Sequence, residues 1–436
     1  MTLTSTLTTV PPLSQELIDK ILDLVSASRT VDTSQDLRQC ALVSQTFRPR
    51  SQSHIFSLAT IQGETRHRIR NLLNAIDANP DIAHYISELC LEFTGLEYAW
   101  IYEDPDFNSL LKRKLASDRP LRKLAIMADS KTDDGYSTIT FRNHERLLQD
   151  FFLPFISTSI TCLSLHRLLG VPIEFVTSCV NLTELELLHV EFNDSDAAKC
   201  SFSQTQPLQL KRLAHRLSRN ALTKLLDQSS DVTHLASFDL SGLHEFTIFT
   251  DAQRNLDFEQ KIIDRCSESL EKLRVITMQT SYNGIFHGSA DLQHLSRLRL
   301  LHVHALFPED GLDSVLRTVS SVRSHTLVDL IFEAKVSFSR PADPEIILEA
   351  DWAGFCSEVT RVLSLEGSNF EFKMTYLYTD RHDMELQDYQ SILQSRCEDV
   401  MRRIRGEFQC LERDTGTSLI LLHQLEYDTG FDFGFD

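Results

Sequence analysis

Histidine, cysteine and carboxylate side chains are where chemistry would start, and this chain brings few of them together by spacing. His302 and His304 are two residues apart, so in a strand both would stand on one face. A metal needs at least a third ligand and no spacing supplies one, so plain surface histidines are the better reading. Asp104 and Asp106 flank Pro105 with no general acid or base opposite them, which reads as a turn. The nine cysteines (Cys40, Cys90, Cys162, Cys179, Cys200, Cys266, Cys356, Cys397 and Cys410) contain no Cys-x-x-Cys pair, so zinc and thioredoxin-type sites lack their spacing. Scattered single thiols suit a reducing compartment, and a cytoplasmic or nuclear location is expected. There is no phosphate loop, no dinucleotide fingerprint, no nucleophile elbow and no His-Glu-x-x-His. Only 14 of 436 residues are glycine, which disfavours loops that cradle phosphate with backbone amides. No cofactor and no metal are expected, and the chain reads as non-catalytic.

Charge narrows the partners. Acidic residues number 62 against 43 basic, a net charge of −19, which repels nucleic acid and anionic membrane surfaces. With 42% hydrophobic and 24% charged residues, the composition is that of a globular protein. No apolar stretch approaches the ~18 residues of a membrane span. Met1–Val10 carries no basic residue, so neither a secretory nor a mitochondrial presequence is expected. A protein partner remains.

The elements that would position such a partner begin at the head of the chain, where the length of 436 residues allows two or three domains. After Pro11 and Pro12, Leu13, Leu17, Ile18, Ile21, Leu22 and Val25 recur at helical spacing, with Ser14 as cap and Glu16 in the first turn. A second helix is expected from Thr33 or Ser34 and a third around Phe47–Phe56, with Pro49 in its first turn. Three short helices make a small core that needs something else to pack on.

The strings "PPLSQELIDKILDLV" and "LRQCALVSQTFRPRSQSHIF" resemble the F-box motif. Leu13, Glu16, Leu17, Ile21, Leu22, Leu37, Cys40, Val43, Ser44 and Arg48 fall on its pattern, while Ser14 replaces the usual proline and Phe47 the usual tryptophan. The placement at the head of a longer repeat-like region is similar to the large F-box family of mushroom-type fungi. The resemblance implies that residues 11–60 form a helical module that docks on a Skp-family adaptor and, through it, a cullin ubiquitin ligase. It also implies adaptor contacts by Pro12, Leu13, Leu17, Ile21, Leu22, Val43 and Phe47. The bland alternative is a helical cap on the array that follows.

From Ile86 onward a pattern of apolar, two residues, apolar, one residue, apolar recurs, starting at Ile86, Leu121, Ile160, Leu182, Leu243, Leu270, Leu295 and Leu327. One degenerate member is expected around Leu210 and Leu213. Helices are expected between matches, at 146–156, 172–179, 217–226, 258–266 and 312–319. Strand, turn and helix at this spacing point to an irregular leucine-rich-repeat solenoid over residues 61–335 and an α/β fold class. A doubly wound sheet is the runner-up, without its glycine-rich turn. Phe370, Phe372 and Met374 alternate like an edge strand, Asp388 could cap a helix, and Leu419–Leu422 could be a final strand. Residues 336–427 are therefore read as a C-terminal cap, with 1–10 and 428–436 as tails.

In each match the second and third apolar residues should face inward and the opposite parity outward. Lys272 would then flank Arg297, and Arg274 would flank Arg299, at the ~4.8 Å spacing of neighbouring strands. Four crowded cations suggest a target with an anionic segment, and Glu245 or Glu333 could neutralise them instead. The expected function is a substrate-recognition subunit of a Skp–cullin–F-box ubiquitin ligase. A repeat scaffold outside any ligase is the leading alternative, and a hydrolase built by the insertions is a third.

Overall fold

The computed structural model describes residues 13–27, 33–63, 66–93, 99–115, 117–128, 138–140, 146–193, 207–226, 238–251, 256–278, 289–307, 312–323, 327–338, 344–363, 367–378, 386–415 and 418–427. It is a mixed α/β protein whose dominant feature is parallel sheet. The chain forms two compact units, one holding residues up to 129 and 145–160, the other holding 130–144 and 161–433.

The first unit opens with three helices: α1 (Gln15–Ala27), α2 (Thr33–Val43) and α3 (Arg48–Ile55). Ser14 O closes the first turn of α1 by accepting from Leu17 N and Ile18 N, both at 3.1 Å. Pro49 sits in the first turn of α3, where its missing N–H is harmless. Ile18, Leu22 and Leu37 form the centre, with Val25, Cys40, Phe47 and Ile55 packed against it. Asp23 of α1 ties down α3 through Arg50 at 2.6 Å and His54 at 2.8 Å.

Strands β1 (Leu58–Gln62), β2 (Glu88–Phe93) and β3 (Lys123–Ala128) follow, paired in parallel in sequence order. Their register aligns Ala59, Leu89 and Leu124 in one inward row and Ile61, Leu91 and Ile126 in the next. Helices Arg66–Ala78 and Pro105–Leu115 cross over between them. Asp104 is a cap rather than a free turn: its Oδ1 accepts from Asp106 N at 2.8 Å and Phe107 N at 3.1 Å. Asp106 itself pairs with Arg70 at 2.9 Å. Leu147–Phe152 is π-helical rather than α-helical.

The second unit repeats the arrangement on a larger scale. Its strands are β4 (Ile139–Thr140), β5 (Cys162–Val171), β6 (Glu184–Phe192), β7 (Leu208–Gln209), β8 (Arg212–Arg216), β9 (Phe238–Asp239), β10 (Glu245–Asp251), β11 (Lys272–Met278), β12 (Leu300–Phe307), β13 (Asp329–Phe338), β14 (Asn369–Tyr378) and β15 (Ser418–Tyr427). The short pairs β4 with β5 and β7 with β9 are side features. The rest run in parallel in the order β5-β6-β8-β10-β11-β12-β13-β14-β15, each beside the next in sequence. That is not the reversal of order that a doubly wound sheet requires.

The register aligns Leu163, Leu185, Leu213, Phe246, Leu273, Leu301, Leu330, Phe370 and Leu419 as one inward row. From Leu185 to Leu330 the spacings along the chain are 28, 33, 27, 28 and 29 residues. The expected match at Leu295 is displaced: the strand starts at Leu300, and Leu298, Leu301 and Val303 hold the buried positions. The next inward row runs Leu165, Leu187, His215, Ile248, Val275, Val303, Phe332, Phe372 and Leu421. A histidine therefore stands where every neighbouring strand has an apolar residue.

Two expectations for the last hundred residues change. β14 is not an edge strand, because it pairs with β13 on one side and β15 on the other. Asp388 lies inside the helix Leu386–Thr415, not before it. An aromatic cluster fills this end of the core. Phe332, Trp352, Phe355, Phe370, Phe372 and Phe408 pack with ring centroids as close as 5.1 Å (Phe332–Phe355). Trp352 Nε1 donates to Ile347 O at 2.7 Å, so the indole is satisfied inside it.

Candidate docking faces

α1 is apolar on two faces, and the helical core uses only one. Ile18 and Leu22 point inward, while Leu17, Ile21 and Leu24, continued by Leu13 ahead of the helix, recur on the adjoining side. The end of α2 adds Leu42 and Val43, 76% and 78% exposed. Six of the ten large exposed hydrophobic residues among those described lie on this three-helix head. That concentration marks an unsatisfied surface, because scattered single apolar residues would need no explanation. Gln15 Nε2 donates to Thr46 O at 3.1 Å and joins the start of α1 to the turn after α2.

The structure sorts the seven head residues expected to meet a partner. Leu13, Leu17, Ile21 and Val43 are exposed on this face. Leu22 is not: it is fully buried in the head's own centre. Phe47 is half-buried and packs on that same centre, so it anchors the module from within. Pro12 lies outside the described residues. Leu24 and Leu42 were missed, although Leu24 sits seven residues after Leu17, on the same helical face.

The outward face of the second unit's sheet corrects the four-cation patch. Lys272 pairs with Leu300 and Arg274 with His302, so neither flanks Arg297 or Arg299. Arg297 and Arg299 are exposed but precede β12. Charges on this face alternate instead. Glu184 faces Arg212 at 3.4 Å, Arg212 faces Glu245 at 3.5 Å, and Glu245 faces Arg274 at 3.6 Å. Glu245 lies between two guanidinium groups, which removes the like-charge repulsion on which the patch rested.

Comparison with known proteins adds nothing to place this chain. No family model and no curated protein matches it. The geometry must carry the reading alone.

Two polar groupings on the outward face resemble chemistry and were weighed as such. His302 and His304 do share a face but are not plain surface histidines: His304 is buried and His302 half-buried, His302 Nε2 lies 3.3 Å from Glu333, and His304 is paired in register with Glu333. The His302 hydrogen bond holds the Glu333 carboxyl down at about 2, against the upward push of burial and with help from His304 and Lys373. Among the described residues no group of three histidine, cysteine or carboxylate side chains could hold a metal ion. The second grouping is Ser164, His166 and Glu186. Ser164 Oγ meets His166 Nε2 at 3.1 Å and also Glu186, while the same Nε2 lies 3.4 Å from Glu186. A relay needs the acid on one imidazole nitrogen and the nucleophile on the other. Here one nitrogen faces both, so the arrangement is a hydrogen-bonded knot centred on buried Ser164.

Beside that knot the backbone is strained. Arg167, His189 and Leu217 have φ of 58°, 56° and 50°, a left-handed conformation rare for residues with a Cβ. Each follows one member of the register-aligned trio His166, Leu188 and Arg216, so β5 and β6 make the same left-handed turn at one level, where β8 ends. Ser218 fills the interruption in β6, its Oγ donating to Leu187 O at 3.0 Å and accepting from Val190 N at 2.9 Å.

Buried thiols are unreactive by environment. Burial pushes Cys90, Cys266 and Cys397 up to about 12, and Cys179 higher still. No helix among the described residues is long and apolar enough to cross a membrane.

Proposed function

We propose that this chain is the target-recognition subunit of a Skp–cullin–F-box ubiquitin ligase, with the head docking on the adaptor and the long parallel ladder receiving the target. The observation that carries the reading is the exposed row Leu13, Leu17, Ile21 and Leu24 with Leu42 and Val43, on a helical head that otherwise satisfies its own core. Apolar side chains so placed gain ~25 cal/mol for each Å² a partner covers, which supports a standing docking surface. The positions of Leu13, Leu17, Ile21 and Val43 agree with the F-box pattern read from the sequence. In-register strands at 27–33 residue spacing support reading the ladder as leucine-rich repeats lengthened by insertions.

Co-purification with a recombinant Skp-family adaptor tests the proposal. The wild-type chain should co-elute with it. Leu17→Asp with Ile21→Asp should lose the complex and keep its circular dichroism, because both side chains are outside the head's core. A scaffold that never enters a ligase would leave the adaptor behind in both cases.

A further inference from the structure

We propose that Ser44 is a phosphorylation site that closes the docking face; the inference rests on the adaptor reading above and adds a regulation to it. Five Ser–Gln dipeptides occur in the chain, and four of them, at Ser14, Ser34, Ser44 and Ser51, fall within the three-helix head. Such a repeated dipeptide suits a Ser/Thr kinase that selects glutamine after its acceptor. Ser51 is fully buried within α3 and out of reach of any kinase. Ser14 is exposed ahead of α1, and Ser44 is half-exposed in the turn that follows α2.

The two accessible positions differ in consequence. A phosphate on Ser14 would sit at a helix N-terminus, where negative charge is favourable. Ser44 lies at the C-terminal end of α2, where the dipole opposes added negative charge. It is also adjacent to Val43 and two residues from Leu42, so about −1.5 to −2 of charge would be placed at the edge of an apolar surface.

Ser44 also holds the turn together. Its Oγ accepts from Thr46 N at 3.2 Å and meets Thr46 Oγ1 at 2.8 Å. Thr46 O in turn receives the Gln15 hydrogen bond that joins α1 to α2. Phosphorylation consumes the hydroxyl. The γ-phosphoryl group of a nucleoside triphosphate forms a bond to Oγ, the bond to the leaving nucleoside diphosphate breaks, and the hydroxyl proton is released. The bulkier group displaces the Thr46 contacts and loosens the Gln15 junction between the start of α1 and the turn after α2. Arg48 reaches back to Ala41 O at 3.5 Å, which puts a cation over the last turn of α2, where it would hold the phosphate over the face.

The test uses the full chain with phosphoserine installed at position 44 during translation, beside the unmodified chain, Ser44→Ala and phosphoserine at position 14. Each is titrated with purified Skp-family adaptor. Ser44→Ala, which loses the Thr46 bonds without adding charge, and phosphoserine 14 should each bind within about threefold of the unmodified chain, and phosphoserine 44 should weaken binding by at least ~10-fold. Binding of phosphoserine 44 within twofold of the unmodified chain would overturn the proposal and leave the adaptor reading standing. Failure of the unmodified chain to bind would overturn the adaptor reading and this proposal with it. Separately, a glutamine-directed Ser/Thr kinase and ATP should place a phosphate on the tryptic peptide spanning 39–50, and Ser44→Ala should abolish it. Phosphate confined to Ser14 would count against the assignment.

Discussion

His215 makes this protein sensitive to mild acid in a way that one substitution should remove. The residue is 2% exposed in an inward row, with its ring stacked on Phe246 at 5.9 Å and edged by Phe258 at 6.3 Å. Glu259 Oε1 is 3.5 Å from Nε2 and would favour an imidazolium, but it already pairs with Arg219 at 2.8 Å. Burial dominates, the Arg219 charge adds to it, and together they push the imidazole down from 6.5 to about 3. Below pH 6.5 the unfolded chain therefore binds a proton that the folded chain refuses, so stability falls as pH falls. Integrating between those two values gives a loss of about 2 kcal/mol at pH 5 relative to neutral pH. His215→Leu restores the apolar row and removes two buried ring nitrogens that have no hydrogen-bond partner. Urea unfolding of both proteins at pH 7 and pH 5 measures the effect. The wild type should lose about 2 kcal/mol more than the variant over that interval, and the variant should be the more stable at pH 5. An equal loss in both would refute the claim that His215 stays neutral inside the folded chain.

Three further outcomes follow from the packing. Phe372→Ala opens the aromatic cluster around Trp352 and Phe408 and should cost about 3–5 kcal/mol in urea unfolding. Burial raises the Asp23 carboxyl, but hydrogen bonds from His54 and Arg50 outweigh it and hold it below its ordinary 3.8. Its contribution is thus present above that range and lost as pH falls through the lowered value, so Asp23→Asn should weaken the head at neutral pH and differ less from wild type near pH 3 in the same titration. Native alkylation should modify half-exposed Cys40 well before the buried Cys90, Cys266 and Cys397, as mass spectrometry of labelled peptides would show.

The inward rows were legible in the sequence because burial on one side of a strand writes a period of two, which Leu185 with Leu187 and Leu330 with Phe332 display. The register around Leu295 was not. Leu295, Leu298, Leu300 and Leu301 satisfy the pattern in two frames, and only pairing with β11 selects the second. His215 escaped because apolar counting cannot recognise a histidine that burial keeps neutral. β14 looked like an edge because paired positions on β13 and β14 lie 40 residues apart, and those on β14 and β15 lie 49 apart, which hides their membership of the ladder. On the head, Leu22 and Leu17 are equivalent as letters. Which one the core takes depends on where α2 and α3 pack, and helical spacing in α1 cannot say.

The aligned left-handed residues Arg167, His189 and Leu217 have a mechanical consequence. A parallel ladder of similar strands could slide by a residue and exchange one set of neighbours for another. Here β5 and β6 make the same left-handed detour at one level and Leu217 makes a third just past the end of β8, and each costs ~1–3 kcal/mol that only the matching neighbours make tolerable. A strand that slid would set its detour against a straight neighbour and leave Ser218 without the gap it fills. The three turns act as a detent: they hold β5, β6 and the end of β8 at one level, and a repeat gained or lost there would have to carry its own turn with it.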